Sequence, residues 1–162
     1  MREKICFFTG HRILPSSKLD LIESLLKRHI SELAANGVTT FIAGGALGFD
    51  MLAAEKVIEM KESAAADIKL WLYLPCSNHT EKWRNSDKIK LFNIKKSCDK
   101  VFYVSRCQYT RSCMLRRNEK MAEDASVCIA FMLSARSGTG YALRCAKNMG
   151  DDIINIADEL YE

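Results

Sequence analysis

Val38-Thr39-Thr40-Phe41-Ile42-Ala43 runs directly into Gly44-Gly45-Ala46-Leu47-Gly48-Phe49-Asp50 and then into Met51-Leu52-Ala53-Ala54-Glu55. The first piece is short, apolar and β-branched, so it reads as a buried strand. The last is built from good helix formers. Glycines at such a junction allow positive φ and let a ligand approach the backbone closely. The N-terminus of the helix that follows presents unpaired N–H groups and a positive dipole end, which suit an anion. The spacing departs from G-x-G-x-x-G. The loop therefore has two readings, a phosphate cradle or a tight strand-to-helix turn with no ligand. On the first, Gly45→Val is expected to abolish ligand binding and leave the fold intact.

Outward from this stretch, strand and helix patterns alternate. Strands are expected at residues 4–9, 38–43, 68–74, 100–104, 126–132 and 152–156, and helices at 17–36, 49–62, 80–97, 113–124 and 139–149. In the first helix Leu19, Ile22, Leu26, Ile30 and Leu33 recur at intervals of three and four, and Asn36-Gly37 supplies the stop. Repeated β-α units with short strands predict an α/β, Rossmann-like single domain over residues 1–162. Its sheet is expected to be mostly parallel, with helices on both faces.

A chain of 162 residues can bury a sizeable core, and 48% hydrophobic with 27% charged residues is a globular composition. No apolar run approaches the ~20 residues of a membrane span. The apolar stretch after Met1-Arg2-Glu3-Lys4 is too short for a signal-peptide core, so a cytoplasmic location is expected. Seven cysteines, Cys6, Cys76, Cys98, Cys107, Cys113, Cys128 and Cys145, include no C-x-x-C pair. An odd number without that spacing reads against a disulfide framework and against a zinc site, so no metal is expected. Net charge is +4, yet residues 82–120 hold 12 of the 24 Lys and Arg against Asp87, Asp99 and Glu119, which is +9 there and −5 elsewhere. Such a stretch draws in phosphorylated ligands or nucleic acid, or is a solvated helix face carrying Lys88, Lys95 and Lys96.

Ligands of open α/β sheets bind outside the carboxyl ends of the strands. The post-strand loops therefore belong together: Thr9-Gly10-His11-Arg12, the Gly44–Asp50 cluster, Leu74-Pro75-Cys76-Ser77-Asn78-His79, and Ser134-Ala135-Arg136-Ser137-Gly138-Thr139-Gly140. Arg12 is a natural phosphate or carboxylate clamp. His11 has two readings, an acid-base group or a hydrogen-bonded structural residue. Asp50 reads as an N-cap or as an acceptor for a ribose hydroxyl. Met114, Arg117, Asn118 and Met121 share one helical face, which the methionines make the buried one. Arg117 and Asn118 must find partners there, either in a ligand or in a structural network. Tyr109, Thr110 and Arg111 precede that helix and are candidates to line the same cleft. Ser137, Gly138 and Thr139 open the next, as an anion contact or a cap. Trp83 reads as a core residue or a base-stacking platform.

Taken together, these motifs resemble the SLOG superfamily, and within it the small YpsA-like bacterial proteins. The resemblance rests on Thr9-Gly10-His11-Arg12, Gly44-Gly45-Ala46-Leu47-Gly48-Phe49-Asp50, Leu74-Pro75 followed by Trp83, Arg117-Asn118 with Met121, and Gly138-Thr139. It covers nearly the whole chain in order. It implies a Rossmann-like fold with a site for a nucleotide or nucleotide-derived ligand, and bacterial, cytoplasmic or prophage-linked biology. Related phosphoribohydrolases of the Lonely Guy type carry P-G-G-x-G-T-x-x-E. Here Ser134-Ala135-Arg136 stands in place of P-G-G and Ala142 in place of the glutamate. Without that carboxylate the chemistry does not carry over, unless Asp50, Glu55 or Glu119 substitutes. DNA-processing proteins are a second related class, but the interleaved aromatics of a single-strand binder are sparse here.

The sequence thus predicts a small nucleotide-like ligand, bound by a sensor or regulator through Thr9, Gly10, His11, Arg12, Gly44, Gly45, Ala46, Gly48, Asp50, Arg117, Asn118, Ser137, Gly138 and Thr139. A hydrolase of nucleotide N-glycosidic bonds and a nucleic-acid binding protein are the alternatives. No membrane partner is expected, and oligomerisation stays open.

Overall fold

The computed structural model describes residues 4–63, 67–106 and 108–161. Six strands form one sheet: β1 (Ile5–Gly10), β2 (Thr40–Ala43), β3 (Lys69–Leu74), β4 (Lys100–Tyr103), β5 (Val127–Phe131) and β6 (Asp152–Asn155). They pair in the order β4-β3-β2-β1-β5-β6, and every pair is parallel. All six expected strands are present; β1 is shifted by one residue and the others are trimmed by one or two at an end.

The connecting helices are α1 (Leu19–Ala35), α2 (Phe49–Ser63), α3 (Asn85–Ser97), α4 (Arg111–Asp124) and α5 (Gly138–Asn148), with a 3₁₀ turn over Ser16–Lys18. α1 ends as its sequence predicts. Gly37 takes φ +98°, its N–H bonds Ala34 O at 3.2 Å, and Val38 N–H bonds Leu33 O at 2.9 Å. This paired arrangement satisfies two of the last carbonyls. α3 starts at Asn85, five residues later than expected, because the 80–84 segment closes turns instead, with Trp83 N–H on Thr80 O at 2.9 Å. A short α6 (Ile156–Leu160) follows β6. It was not foreseen, since five residues show no helical period. The Asn155 side chain caps it at Ala157 N–H (3.2 Å), and Glu159 anchors it to His29 of α1 at 3.0 Å.

Strand side chains alternate between two cores. On one face Cys6, Phe8, Phe41, Leu70, Leu72, Ile129 and Phe131 pack against α1, α2, α3 and α6. On the other Phe7, Ile42, Tyr73, Cys128 and Ala130 pack against α4 and α5. Helices therefore cover both faces, the Rossmann-like arrangement that buries a parallel sheet. The strand order reverses at β1: β2, β3 and β4 are laid down on one side of it, then β5 and β6 on the other. The splayed loops after β1 and β5 leave a crevice at that point.

Candidate functional site

A cavity of about 680 Å³ opens in that crevice. Its floor is Thr9 and Gly10, the last residues of β1, paired with Ala130 and Phe131 of β5. His11 and Arg12 continue the wall, Ala46 and Asp50 come from the loop and helix after β2, and Arg117 and Asn118 come from α4. Arg136, Ser137, Gly138 and Thr139 close it from the β5–α5 side.

The loop after β1 is held by its neighbours. Phe49 N–H donates to His11 O at 3.2 Å, and a Cβ on Gly10 would collide with the Phe49 ring. His11 Nε2 accepts from Leu133 N–H at 2.8 Å and from Ser134 N–H at 3.3 Å. An imidazole nitrogen that accepts two amides is unprotonated, and burial lowers the His11 pKa further. The structural reading of His11 is therefore the one its geometry fits: it ties the β1 and β5 loops across the crevice.

Arg117 is 3% exposed, on the face the methionines predicted. Its partners come from the protein itself. Nε donates to Asn118 Oδ1 at 2.8 Å and Nη1 donates to Gly44 O, while Asn118 Nδ2 reaches Gly138 O at 3.5 Å. This network ties the β2 loop to α4 and α4 to the start of α5. Asp50 faces Arg117 across Gly44: a Cβ there would lie 2.7 Å from both Arg117 Nη1 and Asp50 Oδ2. Of the two readings of Asp50, the N-cap is not the one α2 shows. Asp50 is the second residue of α2, 3% exposed, and its Oδ1 has no hydrogen-bond partner. Burial pushes its pKa up to about 6, although Arg117, the Ala46 and Gly44 backbone and Arg12 favour the charged form.

The glycine cluster behaves differently from its sequence reading. Gly44, Gly45 and Gly48 do not line the cavity; only Ala46 and Asp50 of that stretch do. Gly45 has φ +69° and Gly48 φ +80°. A Cβ on Gly45 would meet the Leu74 side chain, and one on Gly48 would strike the Arg12 carbonyl. These glycines make the turn and its packing possible. The expectation that Gly45→Val spares the fold is therefore corrected: valine there is strained and has no room.

The loop after β5 does face the cavity. Ser137 Oγ accepts from Gly140 N–H at 3.1 Å, so it caps α5, and donates to Ser134 O at 2.8 Å. The Gly138 and Thr139 N–H groups stand in the first turn, where a helix offers them no intrahelical partner, and both residues line the cavity. A Cβ on Gly138 would meet nothing within 4 Å.

Of Tyr109, Thr110 and Arg111, the first and last line the cavity as the sequence suggests, whereas Leu115, Tyr141 and Arg144 line it outside the expected site. Arg111, Arg136 and Arg144 join Arg12 and Arg117 around the cavity, with Tyr109, Tyr141, Met114 and Leu115. Tyr141 and Arg144 stand at i+3 and i+6 from Gly138, a helical spacing that could have found them. Asp50 is the one carboxylate among the described lining residues. Glu119 meets the cavity only through its hydrogen bond to the Tyr141 hydroxyl, Glu55 is half-buried on α2 outside the lining, and Ala142 is wholly buried in the core. Five guanidinium groups against one carboxylate, beside a helix N-terminus, give this cavity the chemistry that suits an anion with several negative oxygens.

The cysteines among the described residues are all free thiols, and Cys107 lies outside those residues. No group of three or more His, Cys, Asp or Glu among the described residues is placed to hold a metal ion. No described helix is long and apolar enough to cross a membrane.

The YspA SLOG family model matches residues 7–151. The chain belongs to this family. Among curated proteins it is 29% identical over 100 residues to a UPF0398 protein of Oenococcus oeni, covering 61% of this chain and 53% of that one. It is 31% identical over 88 residues to a UPF0398 protein of Listeria welshimeri, covering 54% and 48%. The chain thus spans about half the length of these relatives. Among solved structures, DNA processing protein A from Helicobacter pylori, described for its single-stranded DNA binding mode, superposes with a TM-score of 0.65 at 22% identity, covering 94% of this chain and 64% of that one. DNA processing protein A from Streptococcus pneumoniae gives 0.65 at 15% identity, covering 94% and 49%. TM1055 gives 0.58 at 18% identity, covering 97% and 79%. At these identities the likeness is one of fold. SLOG membership and the Rossmann-like sheet agree with what the motifs implied.

Proposed function

We propose that this chain binds a nucleotide or nucleotide-derived ligand in the arginine-lined crevice, as a sensor or regulator, with residues 1–162 acting as one cytoplasmic domain. The observation that carries this reading is the convergence of Arg12, Arg111, Arg117, Arg136 and Arg144 with the α5 N-terminus on one cavity at the strand-order reversal. Its size, about 680 Å³, falls within the range of small-molecule sites. Thr9, His11, Asn118, Ser137 and Thr139 complete the polar wall. The hydrolase alternative has less support, since the motif position for its carboxylate is the buried Ala142. The test is a thermal-shift screen of nucleotides, dinucleotides and ADP-ribose-like compounds. At least one is expected to stabilise the protein, and Arg136→Ala is expected to weaken it as a ligand. A screen in which every compound leaves the melting temperature unchanged overturns the reading.

A second reading has its own support. The DNA processing protein likeness and the basic 82–120 stretch favour nucleic acid as partner. Anisotropy of a labelled single-stranded oligonucleotide separates the two. Phosphate-backbone binding weakens steeply with added salt and depends on strand length, whereas a pocket ligand competes as a free monomer.

A further inference from the structure

A second, smaller cavity of about 250 Å³ lies against the first, and the two share Arg12, Ala46, Tyr109 and Met114 as common wall. Its character differs. Besides the shared Arg12 and the exposed Glu81 and Lys82, it has Leu47 and the rings of His79 and Trp83, which meet edge to face at 5.3 Å and 81°. Burial and the nearby charges of Arg117 and Lys95 hold the His79 pKa low, against the opposing hydrogen bond to Gly45, so the His79–Trp83 ring pair is uncharged. Trp83 packs its inner side on the core and leaves the rest to the cavity, so both of its sequence readings are compatible with its position. Tyr109 stands half-exposed at the junction.

We propose that this smaller cavity seats the base of a nucleotide whose phosphates lie among the arginines next door, and that the ligand carries at least two phosphoryl groups. This rests on the nucleotide reading above and names the part of the ligand each cavity takes. A planar ring with an apolar face suits Trp83 and Tyr109, and a chain of phosphates suits the larger cavity with its five guanidinium groups. The half-buried amide and imidazole of the smaller cavity are already committed, while Arg12, Glu81 and Lys82 of its lining are exposed. Asn78 Oδ1 accepts from Tyr109 N–H at 2.7 Å, Asn78 Nδ2 donates to Glu81 at 3.3 Å, and His79 Nε2 pairs with Gly45 O at 3.3 Å. Recognition is therefore of the ring face rather than of its hydrogen-bonding edge, and all common bases are accepted.

The test compares ADP, GDP, CDP and UDP with inorganic pyrophosphate on the Trp71→Phe protein, in which Trp83 is the sole tryptophan. Trp71 lines neither cavity. Each nucleotide is expected to bind roughly 5- to 100-fold more tightly than pyrophosphate, the range that one stacked base confers. Each is expected to quench Trp83 emission, while pyrophosphate binds without quenching. Tyr109→Ala, at a half-exposed position, should bring the nucleotide affinities down toward that of pyrophosphate. Equal affinity for nucleotides and pyrophosphate, or unchanged Trp83 emission in a nucleotide-saturated protein, overturns the base site and leaves the anion site standing. An advantage for one base alone overturns face recognition. Failure of all five probes to bind overturns the base site together with the reading beneath it.

Discussion

The loop after β2 and the loop after β5 look alike in sequence: each joins a buried strand to a helix through glycine and small residues. In the structure they do different work. The first spends its glycines inward, on Arg117 and Asp50 at Gly44, on Leu74 at Gly45 and on the Arg12 carbonyl at Gly48. The second caps its helix with Ser137 and leaves Gly138 beside open space at the cavity wall. The contrast teaches that glycine at a strand-to-helix turn marks close approach, and that the approaching group can be the protein itself as readily as a phosphate.

Gly48 offers the hardest test of that distinction. Its φ of +80° carries a strain of about 1–3 kcal/mol for an alanine. Crowding against the Arg12 carbonyl, with Arg12 Cα 2.7 Å away, adds roughly 1–3 kcal/mol. Gly48→Ala is expected to lose about 4 kcal/mol in urea denaturation. A stable variant that merely fails to bind anions would return the β2 loop to the role its sequence suggests.

Arg117 comes next. Arg117→Ala leaves Gly44 O without its donor and Asp50 without its nearest buried cation, for a loss of about 3 kcal/mol. The same variant should weaken anion binding, because Arg117 also lines the cavity. Weakened binding at full stability would mean that the network tying β2 to α4 contributes little. Asp50 sharpens the point through pH. A carboxyl whose pKa is raised in the folded state contributes stability that is present below its unfolded pKa and lost as pH rises through the folded value. The window is therefore about pH 4 to 6. Asp50→Asn should remove that slope, giving a stability difference from the natural protein that grows to at most about 3 kcal/mol between pH 4 and pH 6.5. Parallel stability curves for the two proteins would refute the burial-driven shift.

How far these differences were legible depended on the kind of interaction. The six strands follow from short apolar runs, because burial on both faces of a parallel sheet leaves a local mark at 4–9, 38–43 and 126–132, and α1 follows from its three- and four-residue hydrophobic period. α6 leaves none, being held by the Asn155 cap and by Glu159 on His29, 130 residues apart in sequence. Placing Arg117 and Asn118 on a buried face was possible from spacing to Met114 and Met121. Which groups would satisfy them was not, since Gly44 O arrives from 73 residues away. Arg144 was passed over because an exposed helical arginine reads as a solvated charge until its helix is set beside the crevice.

Arg136 bears on the other side of the comparison. It is exposed, it lines the cavity beside Ser137, and its pairing with an anion is charge-assisted. Arg136→Ala should change stability by less than about 0.5 kcal/mol. It should weaken binding of an anionic probe such as pyrophosphate by roughly tenfold, or about 1.4 kcal/mol. Unchanged pyrophosphate affinity in calorimetry would move the anion away from the β5 loop.

Gly138→Ala is the smallest effect and the direct counterpart of Gly48→Ala. Gly138 is the first residue of α5, its φ is not in the left-handed region, and a Cβ there touches nothing within 4 Å. The added methyl group restricts the unfolded chain more than it disturbs the folded one, so the variant should gain about 0.5 kcal/mol. The same chemical change thus carries opposite signs in two loops of similar sequence. Because the methyl would stand at the cavity wall, a modest loss of pyrophosphate affinity is expected beside the gain in stability. A stability loss of more than about 1 kcal/mol would show that the β5 loop is packed as closely as the β2 loop. The distinction between a glycine that serves packing and one that serves an open site would then fail.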